Sequence, residues 1–255
     1  MASASLLFVT LLSASTPSAQ AKPATLAAHL DAFCRREWTS VYTAKERLES
    51  REREAIPDLI KLVFRPERVP LVDTADLIYP GAKTFYGHGW LIDYDLDYLA
   101  GRAGWLLEEI TFEDFGFSSG SIRERPLFDA VSRGSRDVAL GDVLPQPKGP
   151  RSFQASAERA RTWWASNSGT WTRFKAVRAA LASTSARRQM NVLGWLRYGK
   201  TPCLGLSKQS YASELSPLVQ HLAAHGSAEV RQQARLLLDD REGYWLKLKT
   251  EDGSR

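Results

Sequence analysis

Apolar positions in this chain recur with the spacing of helices from residue 24 almost to the end. Residues 24–53 are rich in Ala, Leu, Glu and Arg and hold no Gly or Pro, which predicts one long helix or two. Ile56, Leu59, Ile60 and Val63 then fall at i, i+3, i+4 and i+7, one stripe of a short helix with Pro57 in its first turn. Pro66 and Pro70 close it. The most regular pattern is Leu96, Leu99, Ala100, Ala103, Leu106, Leu107 and Ile110, with Asp93 or Asp95 placed to cap it. Phe112, Phe115 and Phe117 follow and are expected to fold back onto that helix.

The pattern lapses twice. Between residues 71 and 94, Pro80-Gly81 and Gly87-His88-Gly89 are turn signals. Over residues 118–152 apolar positions thin out among Gly, Pro, Ser and Arg, which marks a linker or a long surface loop. Helical spacing resumes at Phe153, with segments around Trp163-Trp164, around Phe174, Val177 and Leu181, and from Ser185 to Tyr198. Tyr211, Leu215, Leu218, Val219 and Leu222 make another stripe, ended by Gly226. Ser227 opens a last helix with Val230, Ala234, Leu237 and Leu238 on one face. Short amphipathic helices joined by short loops must bury their stripes on one another, so the expected class is mainly α, built of stacked helical hairpins.

The run Ser227-Ala-Glu-Val230-Arg231-Gln-Gln-Ala234-Arg-Leu-Leu-Leu238 resembles the second helix of a HEAT-type repeat, where a Val-Arg pair, a small residue and Leu recur at this spacing. Residues 55–63 and 185–196 are similar to such helices, so the likeness touches about a third of the chain, without a clean period repeated three times. An acidic residue usual near the inter-helix turn is replaced by Ser227. The resemblance implies a HEAT-like helical stack that holds another macromolecule, and it implies no catalytic residues and no cofactor. The expected organisation is a signal peptide over 1–21, an N-terminal helical region over 22–117, the linker or loop over 118–152, a HEAT-like region over 153–240 and a tail over 241–255.

The first 21 residues change the picture of where the protein works. An apolar run from Leu6 to Leu12 leads to Ala19-Gln20-Ala21, a small-residue cleavage pattern that places the cut after Ala21. The run is far short of the roughly 20 residues a membrane span needs. Export to the periplasm or beyond is therefore expected, without a membrane span. The net charge of +5 is spread along the chain, with Arg35-Arg36 and Arg187-Arg188 the only adjacent arginine pairs, which argues against a nucleic-acid partner. Cys34 and Cys203, in an oxidising compartment, permit one disulfide; two buried free thiols are the alternative.

Candidate chemistry is concentrated in Tyr86-Gly-His88-Gly-Trp90-Leu-Ile-Asp93-Tyr-Asp95-Leu-Asp97. A glycine-flanked histidine near three carboxylates suits a metal site or an acid–base pair, and an extended segment would put Asp93, Asp95 and Asp97 on one side. The competing reading is that these acids cap the next helix. Arg102 and Glu109 are expected to pair along that helix. His221 and His225 have the i, i+4 spacing of a shared zinc, but Leu222 stands where a zinc peptidase has Glu and no third ligand is evident, so no metal is assigned. Trp163, Trp164 and Trp171 are the densest group of the eight tryptophans and offer either a sugar-stacking surface or core.

These features lead to an exported, non-catalytic protein that uses a helical surface to hold a protein partner, of inhibitor or immunity type. The alternatives are a metal-dependent hydrolase centred on His88, Asp93, Asp95 and Asp97, and a glycan-binding protein using Trp163, Trp164 and Trp171.

Overall fold

The computed structural model describes residues 25–72, 94–117, 153–198, 201 and 203–239. Among these residues the secondary structure is helical, with only two isolated β-bridges, Glu37 to Val72 and Arg68 to Tyr98. The chain is mainly α. No helix among the described residues is long and apolar enough to cross a membrane. The signal-like segment and its cut after Ala21, the stretch 118–152 and the tail lie outside the described residues.

The first predicted stretch is two helices, α1 (Leu26–Phe33) and α2 (Trp38–Ser50). Thr25 starts α1 by accepting the Ala28 N–H on its hydroxyl. The break has a structural task, because the backbone between the helices pairs with a later strand-like segment. Trp38 N–H donates to Val72 O at 3.0 Å, and Val72 N–H donates to Arg36 O at 2.9 Å. A 3-10 turn over Glu52–Glu54, entered with Glu52 at φ 45°, leads into α3 (Ile56–Leu62), where Pro57 occupies the first turn as expected.

The next helix, α4 (Leu99–Thr111), starts later than the apolar spacing suggests. Residues Tyr94–Asp97 form a 3-10 turn, and Tyr98 is the N-cap without a side-chain cap bond. The expected aspartate cap is therefore not formed, and the turn removes the extended geometry that would have aligned Asp95 with Asp97. Phe112, in the left-handed region at φ 54°, ends the helix.

After the second lapse come α5 (Gln154–Asn167), α6 (Arg173–Leu181) and α7 (Ala186–Tyr198), with Thr172 capping α6 through Lys175 N–H. A single helical turn, Lys208–Ser210, and a π-helical turn, Tyr211–Leu215, run into α8 (Ser216–His225). The last helix is α9 (Ala228–Asp239). Loops of a few residues join α1 to α2, α6 to α7 and α8 to α9, and each such pair packs together. The fold also stacks pairs on pairs: α9 packs on α7 as well as on α8, and α4 touches both α3 and α6.

One hydrophobic cluster runs through both helical regions, from Phe33, Leu48, Ile56 and Leu107 to Val177, Leu193, Val219 and Leu237. Each such side chain contributes about 1.5–3 kcal/mol when fully withdrawn from water. The predicted stripes of α3, α4 and α9 are mostly buried, but Leu96, which precedes α4, is half-buried and Leu238 is 39% exposed. The fold-back of the phenylalanines completes it, since Phe112, Phe115 and Phe117 are all buried. Phe117 lies flat on α4 at Gly104, where a built Cβ would stand 2.1 Å from the ring.

Candidate functional site

The aspartate-rich block enters the described structure only at its end. His88, Trp90 and Asp93 lie outside the described residues, as does the side chain of Asp95. Asp97 is described, and it works as a tie between segments. One of its carboxylate oxygens accepts the Leu71 N–H at 3.1 Å, and the other meets Arg68 at 3.3 Å. Its backbone carbonyl accepts the Val69 N–H at 2.7 Å.

Beside this tie lies Arg102, 2% exposed on the first turns of α4. It does not pair with Glu109, as its spacing suggested. Its guanidinium donates instead to four backbone carbonyls: Leu96 at 3.1 Å, Phe33 and Arg35 at 2.8 Å each, and Val69 at 2.9 Å. Burial pushes its pKa down to about 10, against the opposing pull of Cys34 and Asp97, so it stays charged at neutral pH. Glu109 reaches across to Lys45 at 2.5 Å. Burial alone would lower the Lys45 ammonium, but Glu109 and Glu49 outweigh it and hold its pKa above the usual value.

The turn 112–117 is gripped from the second half of the chain. Glu108, buried, accepts the N–H groups of Phe115 and Phe117 on one oxygen and meets Arg187 at 3.0 Å on the other. Arg187 also reaches Asp114 at 3.1 Å. Arg188 donates to Phe112 O and pairs with Glu113 at 2.7 Å, while Arg159 donates to Phe115 O. Glu108, Glu113 and Asp114, out of place beside the negative pole of a helix, thus have arginine partners brought from α7. Burial raises the Glu113 carboxyl, with Arg188 and a hydrogen bond from Trp163 working against it.

The tryptophans line this same seam. Trp163 meets Phe115 edge-on at 5.5 Å between ring centres, stands 5.9 Å from Trp164, and Trp164 meets Trp171 at 6.2 Å. Trp163 and Trp164 are half-buried and Trp171 is buried. Of the two cysteines, Cys34 is half-buried and Cys203 is buried. Cys34 caps α1 beside Arg65 and Arg102, and burial pushes its thiol up. Cys203 is buried in the loop before α8, its Sγ 3.7 Å from Leu204 O.

Two features escaped the sequence. The first is a surface cleft of about 100 Å³ between the end of α3 and the starts of α4 and α5, lined by Val63, Phe64, Arg65, Tyr98, Ala100 and Phe153. Arg161 lies over the Phe64 ring at its edge, 5.5 Å from the centre. The second is a buried charge cluster around Arg173, which has no exposure at all. Its Nη2 donates to Glu49 at 3.3 Å, its Nη1 stands 4.0 Å from Glu52, and its guanidinium carbon lies 5.5 Å from the centre of the Trp195 ring. Nε and Nη1 of Arg173 have no hydrogen-bond partner among the described residues. Burial raises the Glu52 carboxyl and Glu49 reinforces the rise, while Arg173 and the Leu204 N–H oppose it. The only sequence signal for Arg102 was an arginine set between Gly and Ala in the apolar first half of its helix; Arg173 gave none.

These arrangements define a helical protein whose buried ionic groups serve to join chain segments. Comparison with protein-family models, curated protein sequences and solved structures finds no significant match to the chain.

Proposed function

We propose that the chain is an exported, non-catalytic binding protein whose HEAT-like stack of helices holds a protein partner. The observation that carries this reading is the packing of α9 on both α8 and α7. Each helix of a stack spends one stripe on its neighbours, which leaves the opposite faces in register for a partner. Opposite its buried stripe α9 exposes Gln232, Arg235 and Asp239, with Leu238, 39% exposed, on one flank. Such a mixed face with one apolar residue suits a protein surface better than a small molecule. The signal-like segment before Ala21 supports export.

The test is capture by the mature full chain from an envelope extract of the source organism, followed by reconstitution of the complex from purified parts. One stoichiometric partner is expected. Its affinity should fall at least about tenfold with Arg235→Glu and Leu238→Asp together, the loss of about 1.4 kcal/mol that one interfacial anchor supplies. Absence of a stoichiometric partner, or binding indifferent to both changes, overturns the reading.

A further inference from the structure

The outer side of α8 carries two histidines one helical turn apart. His221 and His225 stand at i and i+4 in the last turns of the helix, and both are exposed. Their ring centres are 4.8 Å apart, with the planes inclined by 43°. An imidazole nitrogen binds zinc at about 2.0–2.1 Å, and the ring centre lies roughly 1.2 Å beyond it. Two imidazoles meeting one ion at about 90–110° therefore place their ring centres roughly 4.5–5.3 Å apart. The observed separation falls inside that range.

The backbone beneath the pair is fixed. Val219 and Leu222 are buried in the core and set the rotation of α8, so the histidines face outward in a constant register. Gly226 ends the helix, and its N–H closes on Leu222 O at 3.0 Å. The carbonyl end of a helix favours a cation. The charges closest to this end come from α9: Arg231 donates to Gly226 O at 2.7 Å and Arg235 to Ala223 O at 3.2 Å. They oppose a metal ion, but through solvent and salt that opposition is small beside two metal–nitrogen bonds.

We infer that His221 and His225 form a two-imidazole surface site for a divalent transition ion of the zinc, nickel and copper class, with its remaining coordination positions open. Imidazole ligands suit these ions over calcium or magnesium. The site is independent of the partner-binding proposal, since it asks only for α8.

The test is titration of the full chain with copper(II) alone, read by electron paramagnetic resonance. One equivalent of copper bearing the signature of two imidazole nitrogens is expected. His221→Ala and His225→Ala should each weaken binding at least about tenfold, because either change leaves a single tooth of the chelate. His29→Ala and His88→Ala, which cover the other two histidines, should leave affinity and signature unchanged. Circular dichroism of each variant should match the parent, as the changed side chains are exposed. A signature that survives His225→Ala, or one lost in His88→Ala, overturns the assignment.

Discussion

Arg102, near the start of α4, donates to four backbone carbonyls, whereas Arg173, at the start of α6, faces two carboxylates and donates to one. Both are buried. In the first region the guanidinium is well supplied with hydrogen bonds, and all four acceptors are backbone carbonyls. In the second it has charge partners but two nitrogens without acceptors among the described residues. The carbonyls around Arg102 belong to Phe33, Arg35, Val69 and Leu96, so that one side chain determines how the end of α1, the segment near Val69 and the turn before α4 meet. The Arg173 cluster offsets charge across the contact between α2 and α6, with looser geometry. A guanidinium can therefore organise backbone or balance acids, and the two tasks predict different tolerance to change.

The largest effect should come from Arg102→Leu. Four buried or half-buried carbonyls lose their donor, each at a cost of about 1–3 kcal/mol where water cannot replace it. A loss of at least about 4 kcal/mol is expected in urea unfolding, enough to unfold a marginal domain. Arg173→Met should cost less, about 3 kcal/mol, by leaving Glu49 and Glu52 without their counter-charge. Adding Glu49→Leu to Arg173→Met should recover part of that loss, a recovery with no counterpart at Arg102, whose partners are backbone. If Arg173→Met proves the costlier change, or the double variant recovers nothing, the contrast between the regions fails.

The smallest effect is one of pH. The folded state holds the Glu52 proton more tightly than the unfolded chain does, because its carboxyl is raised by burial. That contribution is complete below the ordinary carboxylate range and is lost as pH rises through the elevated folded value. The stability of the parent minus that of Glu52→Gln should therefore decline with rising pH from about 4.3 upward, by no more than about 1.4 kcal/mol per pH unit. A difference independent of pH would show that burial does not raise the Glu52 carboxyl beyond what Arg173 offsets.

The helices were legible because burial repeats with the helical period. Ile56, Leu59 and Ile60, or Val230, Ala234 and Leu237, announce their faces without reference to the rest of the chain, and all six are buried. Ionic partners were not legible, since they depend on contacts between distant segments. Glu109 was matched to Arg102 on its own helix, yet its partner Lys45 comes from α2. The aspartate caps failed for a local reason: a 3-10 turn carries the chain into α4 and moves the cap to Tyr98. For His221 and His225, the i, i+4 spacing alone led to no metal assignment, and the separation of the rings came only from the fold.

The seat of Phe117 on Gly104 bears on how closely the aromatic turn can approach α4. The ring occupies volume that any other residue's β-carbon would need, and the hollow it fills is created by wound backbone. Any larger residue at 104 would push the ring, and with it the turn that Arg187 and Arg188 hold, away from α4. The clasp supplied by α7 thus relies on a position in another helix that has no side chain at all.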